Sequence, residues 1–134
     1  METPLDANAT DGRNLLLVDD DPAVLRFLST VFDDPKFHVR TAADATACLD
    51  CVKEYPIDLV ITDLVLRGSM DGLALIRELN RSYPELPVIL VSGAAQGGFA
   101  EAAKRLGASA ILRKPLDPDA LVGLVEDLLQ KPRT

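Results

Sequence analysis

The chain has 134 residues, which is enough for one domain with a single core and too few for a second. Fourteen Lys and Arg against 21 Asp and Glu give a formal net charge of -7. This balance argues against a nucleic-acid surface, because phosphate binding needs clustered basic side chains.

Apolar runs are too short to span a membrane, and the first twelve residues lack the basic and apolar regions of a signal peptide. We therefore expect a cytoplasmic protein without membrane contact. Residues 1–13 are polar and patternless, and they are predicted to form a flexible tail. A single domain is expected over 14–131, with no output domain after it.

Five segments are typical of strands, because each is a short apolar or alternating run that ends at a turn residue or a charge. The first, third and fourth are continuously apolar, as in strands covered on both faces, whereas the second alternates as an edge strand does. The predicted strands are 15–19, 37–41, 58–63, 87–93 and 108–115.

Five helices are predicted between and after these strands. Aspartates precede four of them as N-caps, and Pro follows the capping Asp at the first and last helix. The helix over 95–106 is weak because Gly97 and Gly98 lie in it. The residues expected to face inward are Leu25, Leu28, Phe32, Cys48, Leu49, Val52, Leu73, Ile76, Leu79 or Asn80, Leu121, Leu124, Val125 and Leu128.

Strict alternation of strands and helices predicts an α/β fold of the doubly wound type, with one parallel five-stranded sheet and helices on both faces. In such sheets ligands bind beyond the carboxyl ends of the strands. We therefore expect the side chains that follow the strands to meet at one edge.

Charged or hydrogen-bonding residues follow four of the five strands: Asp19 and Asp20, then Asp63, Ser92 and Lys114. Carboxylates gathered at one edge raise one another's pKa unless a cation joins them, and Mg2+ favours such oxygen ligands. An ammonium and a hydroxyl beside them complete a site for a phosphoryl group. We predict that Asp63 is the nucleophile and that Asp19 and Asp20 hold the metal.

Four motifs, "LLVDDD", "DLVITDLVL...MDGL", "PVILVSG" and "GASAILRKPL", occur in this order and in register with the predicted strands. Together they resemble the receiver domain of two-component response regulators, over about residues 13–130. The resemblance implies the flavodoxin-like strand order 2-1-3-4-5, as in chemotaxis regulators, and a cis bond between Lys114 and Pro115. It also implies a phosphorylation-driven switch that catalyses its own phosphorylation and is not otherwise an enzyme.

The same resemblance implies a role for each site residue. Asp63 matches the phospho-acceptor, and it binds Mg2+ directly together with Asp20 and the backbone carbonyl of Val65. Asp19 matches the acid that acts through water. Ser92 and Lys114 match the hydroxyl and the ammonium that bind the phosphoryl group. The donor is then a phosphohistidine on a histidine kinase or a histidine phosphotransfer protein, while the downstream effector and homodimerisation stay open.

Three departures from the family pattern alter these expectations. Arg67 and Gly68 stand where a proline is usual, which predicts a looser mouth of the site. Ile111 occupies the aromatic switch position, so the usual coupling of an aromatic ring to Ser92 is not expected, and the weak helix is predicted to carry more of the response. Val65 and Ala94 occupy positions that tune hydrolysis, and neither orients water, which predicts slow self-dephosphorylation.

Two other functions are compatible with part of the pattern. A haloacid-dehalogenase-type phosphatase also has an Asp-x-Asp pair, which Asp19 and Asp21 imitate, but it needs a further acidic strand end and a cap domain. A phosphorylation-independent docking module is the other alternative.

The two cysteines, the single histidine and Phe99 are not part of the predicted phosphoryl site. Cys48 and Cys51 are expected to be packing residues and His38 a solvated one. Phe99 is either core or a partner contact.

Overall fold

The computed structural model describes residues 12–68, 70–93 and 99–130. Strands and helices alternate through these residues as the sequence predicts. The strands are β1 (Arg13–Val18), β2 (Phe37–Ala42), β3 (Leu59–Asp63), β4 (Val88–Ser92) and β5 (Ala110–Arg113). The helices are α1 (Pro22–Val31), α2 (Ala45–Glu54), α3 (Gly72–Ser82), α4 (Phe99–Leu106) and α5 (Pro118–Gln130).

The five strands form one parallel sheet in the order β2-β1-β3-β4-β5, which confirms the predicted topology. The register aligns their carboxyl ends. Val18 at the end of β1 lies opposite Thr62 of β3, and Asp63 lies opposite Val91 of β4. The residues that follow β1, β3, β4 and β5 therefore reach the same edge of the sheet.

Helices cover both faces of the sheet, and each face has its own core cluster. On one face Leu16 and Val60 pack with Cys48, Ile76 and Leu79. On the other face the cluster combines β1, β3 and β4 residues with side chains of α1 and α5, among them Leu15, Ile61, Ile89, Leu28, Leu121 and Val125. Burial of these side chains from water supplies the main stabilisation of the fold.

The helix faces agree with the predicted ones in most positions. Leu28, Phe32, Cys48, Val52, Ile76, Leu79, Leu121 and Val125 are buried, and Leu25, Leu49, Leu73, Leu124 and Leu128 are half-buried against the cores. Leu79 rather than Asn80 faces inward, and the leucines Leu75 and Leu129 are buried although the sequence did not predict it.

Aspartate caps start the first three helices, as predicted. The side chain of Asp21 accepts a hydrogen bond from Ala23 N at 2.9 Å, and Asp44 accepts one from Ala47 N at 2.8 Å. Asp71 caps α3 in the same way. Each cap satisfies an N–H that the helix itself leaves unpaired, which typically stabilises a helix by about 1 kcal/mol.

The end of α5 is tied to the start of β1. Arg13 Nη2 donates a hydrogen bond to the Leu129 carbonyl oxygen at 3.0 Å. Beside it, Lys36 Nζ lies 2.7 Å from Glu126 Oε2. These contacts lie at the amino ends of the strands, opposite the edge where the carboxyl ends meet.

Some predictions fall on residues outside the described ranges. They concern most of the N-terminal tail, Ala94, Gly97, Gly98 and the side chain of Phe99. Within the described residues the predicted helix over 95–106 is present as α4, from Phe99 to Leu106. None of the described helices has the length and apolar character needed to cross a membrane.

Candidate functional site

Three carboxylates meet at the carboxyl edge of the sheet. Asp19 and Asp20 follow β1, and Asp63 ends β3. One oxygen of each lies within 4.8 Å of the others. Their side chains are 4%, 22% and 11% exposed in that order, so Asp20 is the most open to solvent. The structure thus brings together the acids that the sequence predicted.

Backbone N–H groups orient two of these carboxylates. Asp19 Oδ1 accepts a hydrogen bond from Asp21 N at 2.9 Å, and Asp63 Oδ1 accepts one from Leu64 N at 2.9 Å. The backbone of Asp19 is itself held, because its N–H donates to the Ala42 carbonyl of β2 at 3.1 Å. Charge-assisted bonds of this kind are among the stronger ones in proteins, so both carboxylates are fixed in place.

Lys114 follows β5, which is separated by β4 from the strand of Asp63, and its ammonium lies beside the acids. Its Nζ lies 3.4 Å from Asp63 Oδ1 and 3.9 Å from Asp19 Oδ2. Its backbone N–H donates to the Ser92 carbonyl at 2.9 Å, which positions the residue after β5. The Lys114–Pro115 bond is cis, as the resemblance implied.

Ser92 ends β4 beside the same group of residues. It is 5% exposed and lies opposite Arg113 of β5. Because Val91 is paired with Asp63, Ser92 stands one residue further towards the carboxyl edge. A hydroxyl at this point lies between the strand of Asp63 and the strand of Lys114.

The electrostatics of the cluster are unfavourable to a fully ionised Asp19. Burial raises the pKa of the Asp19 carboxyl, and the charges of Asp63 and Asp20 raise it further. The Asp21 N–H and the Lys114 ammonium lower it, but the net direction is upward. A cation between the acids would remove this penalty.

The chemistry of these donors fits Mg2+. Mg2+ binds oxygen ligands, usually one or two carboxylates, and keeps several of its waters. The three acids offer such oxygens, and the partly exposed Asp20 leaves one side of the group open to water. Asp19, Asp20 and Asp63 are therefore the described side chains that could hold the ion.

The loop after β3 turns directly at the acids. Leu64 and Leu66 are buried, whereas the side chain of Val65 between them is 68% exposed. The loop then returns to α3, where Gly72 N donates to the Leu64 carbonyl at 2.9 Å. A side chain on Gly72 would collide with the Asp63 carbonyl and would lie 2.7 Å from Leu64 Cα. The glycine is required because the start of α3 packs on the backbone of Asp63.

Arg67 contacts one of the three acids, Asp20, and the sequence did not predict this contact. Its Nε lies 3.3 Å from Asp20 Oδ2, and its side chain is 87% exposed. Gly68 follows with φ of 104°, a left-handed conformation that favours glycine, so the loop turns away directly after Arg67. The Arg-Gly pair in place of the usual proline is the sequence signal for this contact, although by itself it predicts only a looser mouth of the site.

Ile111 occupies the middle of β5, opposite Leu90 of β4. It is half-buried and packs against the core cluster that contains Ala103 of α4. The predicted switch position therefore contacts the core on the α4 side of the sheet.

The remaining polar candidates lie apart from the acids. Cys48 is buried in the core, and burial raises its pKa to about 12. Cys51 is half-buried with a pKa raised by burial, and both are free thiols. These environments favour thiols that pack rather than react. His38 is exposed on the edge strand β2, as expected.

Comparison with protein families gives a match to the response regulator receiver domain over residues 15–126. Among curated relatives, the nitrogen assimilation regulatory protein NtrX of Azorhizobium caulinodans is 34% identical over 118 residues. The transcriptional regulatory protein GlrR of Escherichia coli is 36% identical over 118 residues. These matches cover 87% and 88% of the chain, but only 26% of each relative. The chain spans about a quarter of the length of both.

Solved structures give the same likeness at the level of the fold. The receiver domain of NtrX from Brucella abortus matches with a TM-score of 0.82 and 34% identity, covering 88% of this chain and 99% of that one. A CheY-like receiver domain protein from Methanospirillum hungatei matches with a TM-score of 0.83 and 26% identity, covering 88% and 94%.

Proposed function

Because the chain belongs to the response regulator receiver domain family, we propose that Asp63 accepts a phosphoryl group from a phosphohistidine of a histidine kinase or a histidine phosphotransfer protein. The observation that carries this proposal is the position of Asp63. One of its oxygens lies within 4.8 Å of an oxygen of each of two further carboxylates, Asp19 and Asp20. Its Oδ1 lies 3.4 Å from Lys114 Nζ. In this proposal the chain is a cytoplasmic signalling switch rather than an enzyme acting on a separate substrate.

In the proposed transfer, a carboxylate oxygen of Asp63 forms a bond to phosphorus while the phosphorus–nitrogen bond of the donor breaks. The electron pair of that bond stays on the histidine nitrogen, and Asp63 becomes an aspartyl phosphate. When bound, Mg2+ would neutralise charge on the phosphoryl oxygens. Asp20, Asp63 and the Val65 carbonyl would hold it, with Asp19 acting through water.

The other residues act on the phosphoryl group once it arrives. Lys114 lies near both Asp63 and Asp19, so its ammonium is placed to pair with a phosphoryl oxygen on Asp63. The Ser92 hydroxyl donates to another oxygen. Because Ser92 and the half-buried Ile111 lie on adjacent strands, movement of Ser92 would alter packing towards α4 and change the surface met by a downstream effector.

Intact-mass analysis after incubation with acetyl phosphate tests the assignment of Asp63. We expect a gain of one phosphoryl group that requires Mg2+ and is absent from Asp63→Asn. Asp58→Asn is not a suitable control, because Asp58 accepts a hydrogen bond from Asn14 N. Asp50→Asn, on the exposed side of α2, is the matched control and should gain the phosphoryl group normally.

No mass gain in the wild-type protein, repeated with a phosphohistidine donor, would contradict the proposal. The phosphorylation-independent docking module would then be the better description. A gain that persists in Asp63→Asn would place the acceptor elsewhere. The family match leaves no support for the haloacid-dehalogenase alternative.

A further inference from the structure

The acids have two basic side chains beside them, and these differ in how firmly they are held. Lys114 is 33% exposed and lies near two carboxylates, Asp63 and Asp19. Arg67 is 87% exposed and lies near one carboxylate, Asp20, which is itself the most exposed of the three. Arg67 is therefore the more easily displaced of the two.

The contact between Arg67 and Asp20 has loose geometry. An arginine that binds a carboxylate firmly does so through two parallel bonds of about 2.7–2.9 Å. Here the contact runs from Nε to Oδ2 at 3.3 Å. A single long contact at an exposed position is weak. A contact of this kind competes weakly with other ligands of the Asp20 carboxylate.

The charge balance of the group also favours displacement of Arg67 by a divalent cation. Three carboxylates with Lys114 and Arg67 beside them carry one net negative charge. Replacement of Arg67 by a divalent cation would make the group neutral, whereas addition of the cation with Arg67 still in place would leave one positive charge. Exchange of Arg67 for the cation is therefore the arrangement with zero net charge.

We propose that Arg67 is a displaceable counterion that occupies Asp20 until Mg2+ binds, and that it sets the Mg2+ affinity of the site. This inference rests on the proposed function, because it assumes that Mg2+ uses Asp20. Arg67 acts here through Asp20, by competing with the metal for that carboxylate, and is not a catalytic residue. It leaves Asp20 when the metal arrives and is then free in the mouth of the site.

Isothermal titration calorimetry with Mg2+ at low ionic strength tests the competition. Arg67→Gln should bind Mg2+ about two- to five-fold more tightly than wild type, the effect expected for loss of an exposed ion pair. Arg67→Lys keeps the charge and should stay near wild type. Arg81→Gln removes the same charge from an exposed pair with Glu78 in the last turn of α3, and it should leave the affinity unchanged.

Nuclear magnetic resonance gives a second readout that does not depend on phosphorylation. At pH 6 the Nε–H signal of Arg67 should shift when Mg2+ is added, and that of Arg81 should not. Unchanged or weaker Mg2+ binding by Arg67→Gln would overturn the inference. An equal gain in Arg81→Gln would also overturn it, because the effect would then come from net charge alone.

These results separate the inference from the proposed function. If the wild-type protein gains a phosphoryl group but Arg67→Gln binds Mg2+ as wild type does, only the role of Arg67 is wrong. If Mg2+ competes with Arg67 as expected but Asp63 is never phosphorylated, only the proposed function is wrong. Absence of Mg2+ binding to wild type would overturn both.

Discussion

Lys114 Nζ lies 3.4 Å from Asp63 Oδ1, although β4 separates the strands that precede the two residues. Two strand spacings amount to about 10 Å, and only a long side chain spans that distance. The contact therefore joins three strands at the edge where the acids lie. It also gives two closely placed carboxylates, Asp63 and Asp19, a common counterion.

Replacement of Lys114 by Met should destabilise the metal-free protein. The acids would keep their mutual repulsion and lose the ammonium that offsets it, at a cost of about 1 kcal/mol for a partly exposed group. Urea unfolding in EDTA measures the loss, and addition of Mg2+ should recover part of it. Lys36→Met is the control, because it breaks a more exposed pair with Glu126 and should cost less. Equal losses would show that the acids do not depend on Lys114.

Gly72→Ala should destabilise the fold and disturb Asp63. The new methyl group would collide with the Asp63 carbonyl and the Leu64 backbone, which cannot move aside as a flexible side chain does. We expect a loss of about 1–3 kcal/mol in the free energy of unfolding, the usual cost of overpacking. Phosphorylation by acetyl phosphate should fall as well.

Gly123→Ala provides the matched control for this change. Gly123 lies in α5 with open space around it, so a methyl group meets nothing. Alanine is the better helix former, and the variant should gain about 0.5–1 kcal/mol. If both glycine variants moved the free energy of unfolding in the same direction, close packing at Gly72 would not be the reason.

Asp19→Asn should stabilise the metal-free protein at pH 7. The pKa of Asp19 is raised by burial and by neighbouring acids, so the native state binds this proton more tightly than the unfolded chain does. Stability therefore falls as the pH rises from the unfolded pKa through the raised native pKa, and above that range the protein carries the penalty of the charged group. Asparagine keeps an oxygen for the Asp21 N–H without the charge, and relief of the penalty should be worth about 1 kcal/mol.

Urea unfolding between pH 4 and pH 7 checks the sign. The free energy of unfolding of Asp19→Asn should exceed that of wild type at pH 7, and the two values should approach each other at low pH. Asp50→Asn, which removes a charge from an exposed position of α2, should change the free energy of unfolding appreciably neither at pH 7 nor at low pH. A less stable Asp19→Asn at pH 7 would mean that its charge is needed even without metal. The same variant should bind Mg2+ more weakly than wild type.

The phosphorylated protein should lose its phosphoryl group slowly, and Val65→Asn should accelerate the loss. Val65 is 68% exposed two residues beyond Asp63, and its side chain offers no atom that hydrogen-bonds water. A positioned amide there would orient an attacking water without acting as a general base. We therefore expect about a ten-fold shorter lifetime, less than the roughly 100-fold or greater effect of general acid–base catalysis. Mass spectrometry over time measures the decay. Val65→Leu should decay as wild type does, and a wild-type lifetime of only seconds would contradict the prediction.

Strand ends and helix caps were predictable from the sequence, because each is encoded within a few residues. An apolar run that stops at Asp63 predicts both the buried strand and the carboxylate at its carboxyl end. The parallel topology then brings Asp19, Asp20 and Asp63 together without any further information. The cap at Asp71 follows from its position before an apolar periodic run.

Two kinds of detail escaped the sequence analysis. Leu75 and Leu129 are buried because their helices are covered over a wider face than the narrow stripe assumed for α3 and α5. The contact between Arg67 and Asp20 depends on the path of a loop in which Arg67 and Gly68 replace the usual proline. Loop conformation is set by tertiary packing and single φ values, such as that of Gly68, rather than by periodicity.

The hydrogen bond from Arg13 to the Leu129 carbonyl has a consequence for communication through the molecule. It places the start of β1 and the end of α5 side by side, at the amino ends of the strands. The six residues of β1 measure about 20 Å at ~3.3 Å each, so the acids lie one full strand length away. A change at Asp63 would therefore reach this end of the molecule only through shifts of the packed strands and helices that lie between.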